Sequence, residues 1–294
     1  MIEQKKNILF IINPISGGHN KADIVKAIPK FIDKNRFNIS IEHSKHPGHA
    51  KIIAKNAVEQ NIDIVVAVGG DGTINEIASQ LVNTNTTLAI IPCGSGNGLA
   101  RDLGISIRYE KAIQQINTLK TKKIDVGICN NQYFFSLTGA GFDAKVAYDF
   151  NKGFKRQFLG YAWYILKDYF NAKEQLFEIE IDNEKIIGDL FFISIANCSQ
   201  WGYNVKVAPN AELDDGIFSV NFGKKPSFFS LIPFGFKMLS GKINTSKYIT
   251  LKKASKIIIS SNHQFFYHLD GDSKGISQKL ELSILHKALN ITAK

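Results

Sequence analysis

The sequence predicts an α/β N-terminal domain built on a parallel sheet, followed by a β-rich C-terminal domain. Up to about residue 125, apolar strand-like runs alternate with helical patterns, the order that lays helices on the faces of a parallel sheet. Beyond that point the composition changes. Of 32 aromatic residues, only Phe10, Phe31, Phe37 and Tyr109 precede residue 127, and the other 28 fall in the remaining 168 residues. A length of 294 residues suits two domains at about 100–200 residues each. The division is expected as 1–126 and 127–294, with the C-terminal tail free to return to the first domain.

The elements follow in order. Asn7–Asn13 reads as a buried strand, and a helical pattern from Ala22 to Lys34 contains Pro29, which should bend it. Phe37–His43 is the second strand and His49–Gln60 the second helix; Asp63–Val68 is strand three and Leu88–Pro92 strand four. Between these last two, a helix is expected to begin at Thr73. In the second half, Gln132–Leu137, Leu190–Asn197, Ile217–Phe222, Lys256–Ser260 and Phe265–Leu269 look β-like. Two helix-sized aromatic segments, Gln157–Phe170 and Ser227–Leu239, interrupt them.

Hydrophobic residues make up 44% and charged residues 21%, an ordinary globular balance that excludes a disordered or fibrous chain. No apolar stretch approaches the ~20 residues of a membrane-spanning helix. The run Ile8–Ile12 before Asn13-Pro14 is too short for a signal-peptide core. Cys93, Cys129 and Cys198 have neither paired nor metal-ligand spacing and read as reduced cytosolic thiols. The expected location is therefore the cytoplasm.

The most informative stretch is IVVAVGGDGTINEIASQL, residues 64–81. A strand runs into Gly69-Gly70-Asp71-Gly72, and Thr73-Ile74-Asn75-Glu76 is expected to form a capping box that starts a helix. Glycines permit close backbone approach, and a helix N-terminus offers N–H groups to an anion, so this geometry suits a phosphate. Asp71 sharpens that reading. A carboxylate beside phosphates repels them unless a cation lies between, and Mg²⁺ favours carboxylates together with substrate phosphates. A second glycine loop, Pro92-Cys93-Gly94-Ser95-Gly96-Asn97-Gly98, follows strand four, where open α/β sheets bind ligands. Ser95 could donate to a phosphate there, and Asn97 could cap the short helix that follows. Neither the dinucleotide fingerprint nor a P-loop is present.

Taken together, Asn13-Pro14 with Ser16-Gly17, GGDGTINE (69–76) and PCGSGNGLAR (92–101) resemble the diacylglycerol kinase catalytic family, which includes bacterial lipid kinases, sphingosine kinases and ceramide kinases. The match continues through Ile124–Gly127, Gly139–Ala144, Pro209–Gly216 and Leu269–Asp272, so ordered motifs span nearly the whole chain. GGDGT alone is shared with NAD kinases. The resemblance implies an NAD kinase/diacylglycerol kinase-like first domain and ATP- and Mg²⁺-dependent phosphorylation of a lipid hydroxyl in a cleft between the domains. It assigns the nucleotide to Asn13, Ser44, the run Gly69, Gly70, Asp71, Gly72, Thr73, Ile74 and Asn75, and Ser95. It assigns a structural Mg²⁺ to Asp215 with the carbonyls of Glu212 and Ile217, and makes Asp125 a support for the cleft. The family ends its last motif in Asp-Gly-Glu, the Glu being the proton acceptor. Here Asp272 stands in that place, one methylene shorter, so catalysis through it needs a local shift or a bridging water.

Charge placement suits a lipid substrate held at a membrane. The formal net charge is +10, and between Asp215 and Asp270 there are eight lysines and no acidic residue. That interval contains SFFSLIPFGF (227–236), aromatic and uncharged between lysine-bearing flanks, a pattern suited to shallow insertion at an anionic surface. A second candidate is 150–170. Packing of these aromatics into a core is the competing reading. No nucleic-acid motif accompanies the basic balance, so no nucleic-acid partner is expected; a homodimer stays open. The function expected is a lipid kinase acting on diacylglycerol or a related lipid, in peripheral contact with the membrane. The alternatives are a NAD kinase-like activity and a non-catalytic lipid- or nucleotide-binding protein.

Overall fold

A computed structural model describes residues 4–17, 20–153, 158–182 and 184–294. The chain forms two compact units, Met1–Ile124 with Lys287–Lys294, and Asp125–His286.

The first unit runs β1 (Lys6–Ile12), α1 (Lys21–Phe31), β2 (Phe37–His43), α2 (His49–Glu59), β3 (Ile64–Gly69), α3 (Asp71–Leu81), β4 (Thr87–Pro92), α4 (Gly98–Asp102) and α5 (Tyr109–Ile116). Its strands pair in parallel in the order β4-β3-β1-β2, and Ile291, near the chain's end, pairs in parallel with Leu88 of β4. Every residue of β3 is buried, and so are Ile8–Ile12 of β1. Strands covered on both faces are continuous apolar runs rather than alternating ones, which is why they could be read from sequence. From β1 the chain steps to β2 on one side, then crosses to β3 on the other. That reversal of direction at β1 is the switch point at whose carboxyl ends open α/β sheets bind ligands.

Two local expectations fail here. Helix α1 stops at Phe31 rather than Lys34, with Ile32 extended. Helix α3 begins at Asp71, two residues before Thr73, with the extended Gly70 as its N-cap and no side-chain cap. The capping box does not form, because both of its side chains are engaged elsewhere. Thr73 Oγ1 accepts from Asn13 Nδ2 at 2.8 Å, and Glu76 Oε1 accepts from the Gly48 N–H at 3.0 Å. Asn97 does precede α4, but it sits in the left-handed region and its amide donates to the Gly94 carbonyl instead of capping.

Continuing the chain are β5 (Thr121–Cys129), β6 (Gln132–Phe134), β7 (Leu137–Gly141), α6 (Phe142–Lys152), α7 (Phe158–Tyr169), β8 (Gln175–Ile181), β9 (Glu184–Leu190), β10 (Phe192–Ala196), β11 (Gln200–Gly202), β12 (Val205–Lys206), β13 (Phe218–Gly223), α8 (Leu231–Leu239), β14 (Ile249–Ala254), β15 (Lys256–Leu269) and β16 (Asp272–Thr292). Gln157, the expected start of α7, lies outside the described residues. Pairing in the order β14-β13-β10-β7-β15-β16 makes one antiparallel path; β8 joins β15 and carries β9. The core of this unit is aromatic and β-branched: Phe134 stacks on Phe218 at 5.4 Å, and Phe177 meets Phe265 edge-on at 5.1 Å. Lys256–Ser260 and Phe265–Leu269, expected as two strands, are one strand whose register to β16 shifts between them.

Candidate active site

Three loops of the first unit meet at the carboxyl ends of β1, β3 and β4. The Asn13 N–H donates to the Val68 carbonyl and its side chain to Thr73, tying the loop after β1 to α3. The Cys93 N–H donates to the Gly69 carbonyl at 2.7 Å, and the Asn97 N–H donates to Asp71 Oδ2 at 3.1 Å, tying the loop after β4 to the same point. Gly70 and Gly94 touch backbone to backbone: a Cβ on Gly94 would fall 2.7 Å from the Gly70 Cα. The glycines thus let two loops close on each other, where the sequence suggested only room for a ligand. Ser44 is buried just past β2, its N–H bonded to the Ile12 carbonyl, and Ser95 is exposed at the tip of the loop after β4. Asn13, Ser44, Gly69–Asn75 and Ser95 therefore share one end of one sheet.

Two features make this end fit a nucleotide's phosphates and their cation. Helix α3 starts without a side-chain cap, which leaves its first-turn N–H dipoles facing outward. Asn97 Oδ1, an acceptor, is buried without a hydrogen-bond partner among the described residues, and so suits the cation that accompanies the phosphates rather than a phosphate oxygen. Next to the loops, a cavity of about 390 Å³ is lined by Gly94, Ser95, Asn97, Arg101, Arg108 and Tyr109, among others, bringing two guanidinium groups to the site.

The second unit holds the other candidates. Asp125, fully buried, accepts from the Gly216 N–H at 2.6 Å and lies 2.9 Å from His286 Nδ1, while its own N–H donates to the Leu213 carbonyl at 2.6 Å. It thereby fixes the loop carrying Glu212, Asp215 and Ile217. Asp215 Oδ1 accepts from the Ile217 N–H at 3.1 Å, and Oδ2 lies 3.4 Å from Lys253 Nζ. No cluster of three His, Cys, Asp or Glu side chains stands among the described residues. One carboxylate with backbone carbonyls is an oxygen-only donor set that suits a hard cation keeping several waters, so the loop fits Mg²⁺ provided the Lys253 ammonium moves aside.

Asp272 is exposed at the start of β16, directly after a two-residue turn. Asp270 and Gly271 both have positive φ, +50° and +83°, as an Asp-Gly hairpin of this length requires. Sequence reading missed what Asp270 does. Its carboxylate accepts the N–H groups of Phe135, Ser136 and Leu137 at 2.7–3.2 Å. The Asp-Gly pair signalled the turn, but its partners lie more than 130 residues away in sequence.

The segment 227–239 packs inward through Leu231 and Met238, but most of its apolar side chains are exposed. Phe229, Ile232 and Phe236 are 90%, 72% and 68% exposed, and Phe228 and Leu239 are about half exposed. Phe170, at the end of α7, extends this patch, its ring 5.5 Å from Phe228. Lys224, Lys242 and Lys247 are exposed around it. Lys225 is not free: its ammonium lies 4.4 Å over the Tyr169 ring and bonds the Ala172 carbonyl. Within 150–170, residues 154–157 lie outside the described residues. No helix among the described residues is long and apolar enough to cross a membrane.

Compared with known proteins, residues 7–129 match the diacylglycerol kinase catalytic domain and residues 136–293 the YegS C-terminal NAD kinase beta sandwich-like domain. The chain is 29% identical over 278 residues to a diacylglycerol kinase of Bacillus subtilis, covering 92% of this chain and 91% of that protein. It is also 29% identical over 280 residues to one of Staphylococcus aureus, covering 92% and 87%. Among solved structures, a diacylglycerol kinase from Bacillus anthracis superposes with a TM-score of 0.78 at 21% identity, covering 98% of this chain and 97% of that one. A second crystal structure from the same organism gives a TM-score of 0.82 at 23% identity, covering 98% and 95%.

Proposed function

The chain belongs to the diacylglycerol kinase-like family of lipid kinases, phosphotransferases with an alcohol acceptor, and on that premise we propose that it transfers the terminal phosphoryl group of ATP to a hydroxyl of diacylglycerol or a related lipid. The observation that carries this reading is the uncapped N-terminus of α3, set between the loops that leave β1 and β4. Phosphoryl transfer is mostly positioning and charge neutralisation, and such a cradle serves both. The first-turn N–H groups of α3, Ser95 and the two arginines receive phosphate oxygens. Asp71 holds the cation that accompanies the nucleotide, and Asp215, with the Glu212 and Ile217 carbonyls, holds a second one that stiffens its loop. Mg²⁺ at Asp71 would supply charge neutralisation along the phosphates, whereas at Asp215 it would only brace the loop. Asp272 takes the proton of the attacking lipid hydroxyl on its carboxylate, and its exposure leaves it accessible to that hydroxyl.

The patch around α8 supports peripheral contact with an anionic bilayer. Exposed Phe229, Ile232 and Phe236 would enter the interface, and Lys224, Lys242 and Lys247 would face the headgroups. Terminally labelled ATP, offered with a lipid panel and separately with NAD, tests the function. Label in the organic phase is expected. Label in the NAD product alone would instead support a nucleotide acceptor, and no transfer to either would leave a binding protein.

A further inference from the structure

Beyond the groups assigned above, the second unit buries two titratable side chains against each other. Asp143 lies in the first turn of α6 and His268 near the end of β15; they are 5% and 3% exposed. His268 stands opposite Gly139 in the pairing of β15 with β7. A Cβ on Gly139 would fall 2.2 Å from Asp143 Oδ2 and 3.0 Å from His268 Nε2, so the missing side chain is the space the pair occupies. Nε2 and Oδ2 are 3.6 Å apart. Asp143 Oδ1 accepts the Ala144 N–H, while Oδ2 has no hydrogen-bond partner among the described residues. The other ring nitrogen, Nδ1, accepts the N–H of Gly271 at 3.3 Å. That contact sets the tautomer: the lone pair is on Nδ1, and the proton on Nε2 faces Asp143.

A carboxyl oxygen buried without a full partner is unfavourable. Burial duly pushes the Asp143 carboxyl above the usual carboxylate range. A sequence that keeps such a group against its own stability marks a functional constraint. The surrounding contacts say which one. His268 reaches Gly271, the residue before Asp272. Its carbonyl accepts from Thr138 Oγ1 at 2.6 Å, and the far end of α6 reaches the same turn, where Asn151 Nδ2 donates to the Gly271 carbonyl at 3.1 Å. Helix α6 thus holds the Asp270–Gly271 turn at two points.

We propose that Asp143 and His268 are positioning residues: Asp143 orients the imidazole, the imidazole holds the Gly271 N–H, and the turn so fixed aims the Asp272 carboxylate at the acceptor hydroxyl. The inference rests on the reading of Asp272 as proton acceptor. The test uses the full chain. His268→Phe and Asp143→Leu keep bulk but remove the polar atoms, so a purely structural pair would tolerate them or gain stability. A positioning pair instead loses about 10–100-fold in kcat, with KM for ATP and lipid and the melting temperature held. His268→Asn places an oxygen near the position of Nδ1 and should recover most of that loss. Exchange of the Gly271 amide, read by NMR, should quicken in His268→Phe and slow again in His268→Asn. In an Asp272→Asn background the same changes should leave the residual rate untouched, because the group being aimed is gone. Wild-type kcat in His268→Phe, or an equal loss in the Asp272→Asn background, overturns the proposal. Wild-type turnover in Asp272→Asn alone removes its premise as well, and it is recognised without altering the pair.

Discussion

Removing the Asp270 carboxylate should unfasten the hairpin that presents Asp272. The three N–H groups it receives belong to Phe135, Ser136 and Leu137, all buried. Asp270→Ala strands them in a site with little room for water. A buried donor left without a partner costs about 1–3 kcal/mol, and the donors share one acceptor group, so a total of about 3–5 kcal/mol is expected. For a domain of this size each kcal/mol moves the melting temperature by about 2–4 °C, which gives a fall of about 6–20 °C. Asp270→Asn keeps one oxygen for Ser136 and Leu137 but turns an N–H₂ toward Phe135, and should fall between the two. Calorimetry reads both values, and turnover should fall by about 10²-fold in the alanine variant as Asp272 loses its aim. An Asp270→Ala protein that melts with the wild type would refute this account of the turn.

Asp71→Asn should retain the melting temperature, since an amide oxygen can still accept the Asn97 N–H, yet lose about 10²–10³ in rate in a transfer assay. Asp215→Ala should abolish retention of a divalent ion by the purified protein, and Lys253→Met, which removes the competing ammonium, should strengthen it; elemental analysis reads both. Replacing Phe229, Ile232 and Phe236 with Ser should release the protein from anionic vesicles at any ionic strength. Replacing Lys224, Lys242 and Lys247 with Gln should remove chiefly the salt-sensitive part, read by vesicle sedimentation. Asp143 gives a pH signature. Its folded pKa is raised, so between the ordinary carboxylate value of about 3.9 and that raised value the folded state holds a proton the unfolded state has released, and stability falls as pH rises. Asp143→Asn lacks this loss, so its melting temperature should gain on the wild type across that window and level off above it.

How much was legible follows from where each signal sits in the chain. Strands β1, β3 and β4 could be read because a doubly covered parallel strand is a local apolar run with loops at its ends, and the edge strand β2 because Phe37, Ile39 and Ile41 alternate with polar residues. The start of α3 could not, because Thr73 and Glu76 read locally as a cap, while in the fold they serve Asn13 and Gly48 on two other loops. Strand β8 had its signal, Phe177, Ile179 and Ile181 alternating with Glu178 and Glu180, and needed only the period-two test. Strand β15 broke into two readings because the polar run Ser260-Ser261-Asn262-His263 resembles a turn, whereas pairing to β16 simply changes register there. The glycine loops and the Asp-Gly turn were visible as motifs. Their tie points were not, since Asp270 to residues 135–137 and Asp143 to His268 are contacts between distant segments.

The central claim, phosphorylation of a lipid hydroxyl, is tested most directly by the mass of the product. The purified protein would be incubated with ATP, Mg²⁺ and vesicles of anionic phospholipid containing diacylglycerol, and the lipid extract examined by mass spectrometry beside an Asp71→Asn control. The account predicts a diacylglycerol heavier by one phosphate, with matching release of ADP, and neither in the control. An unchanged lipid extract while ATP is consumed, or while NAD offered in the same tube becomes phosphorylated, would contradict it.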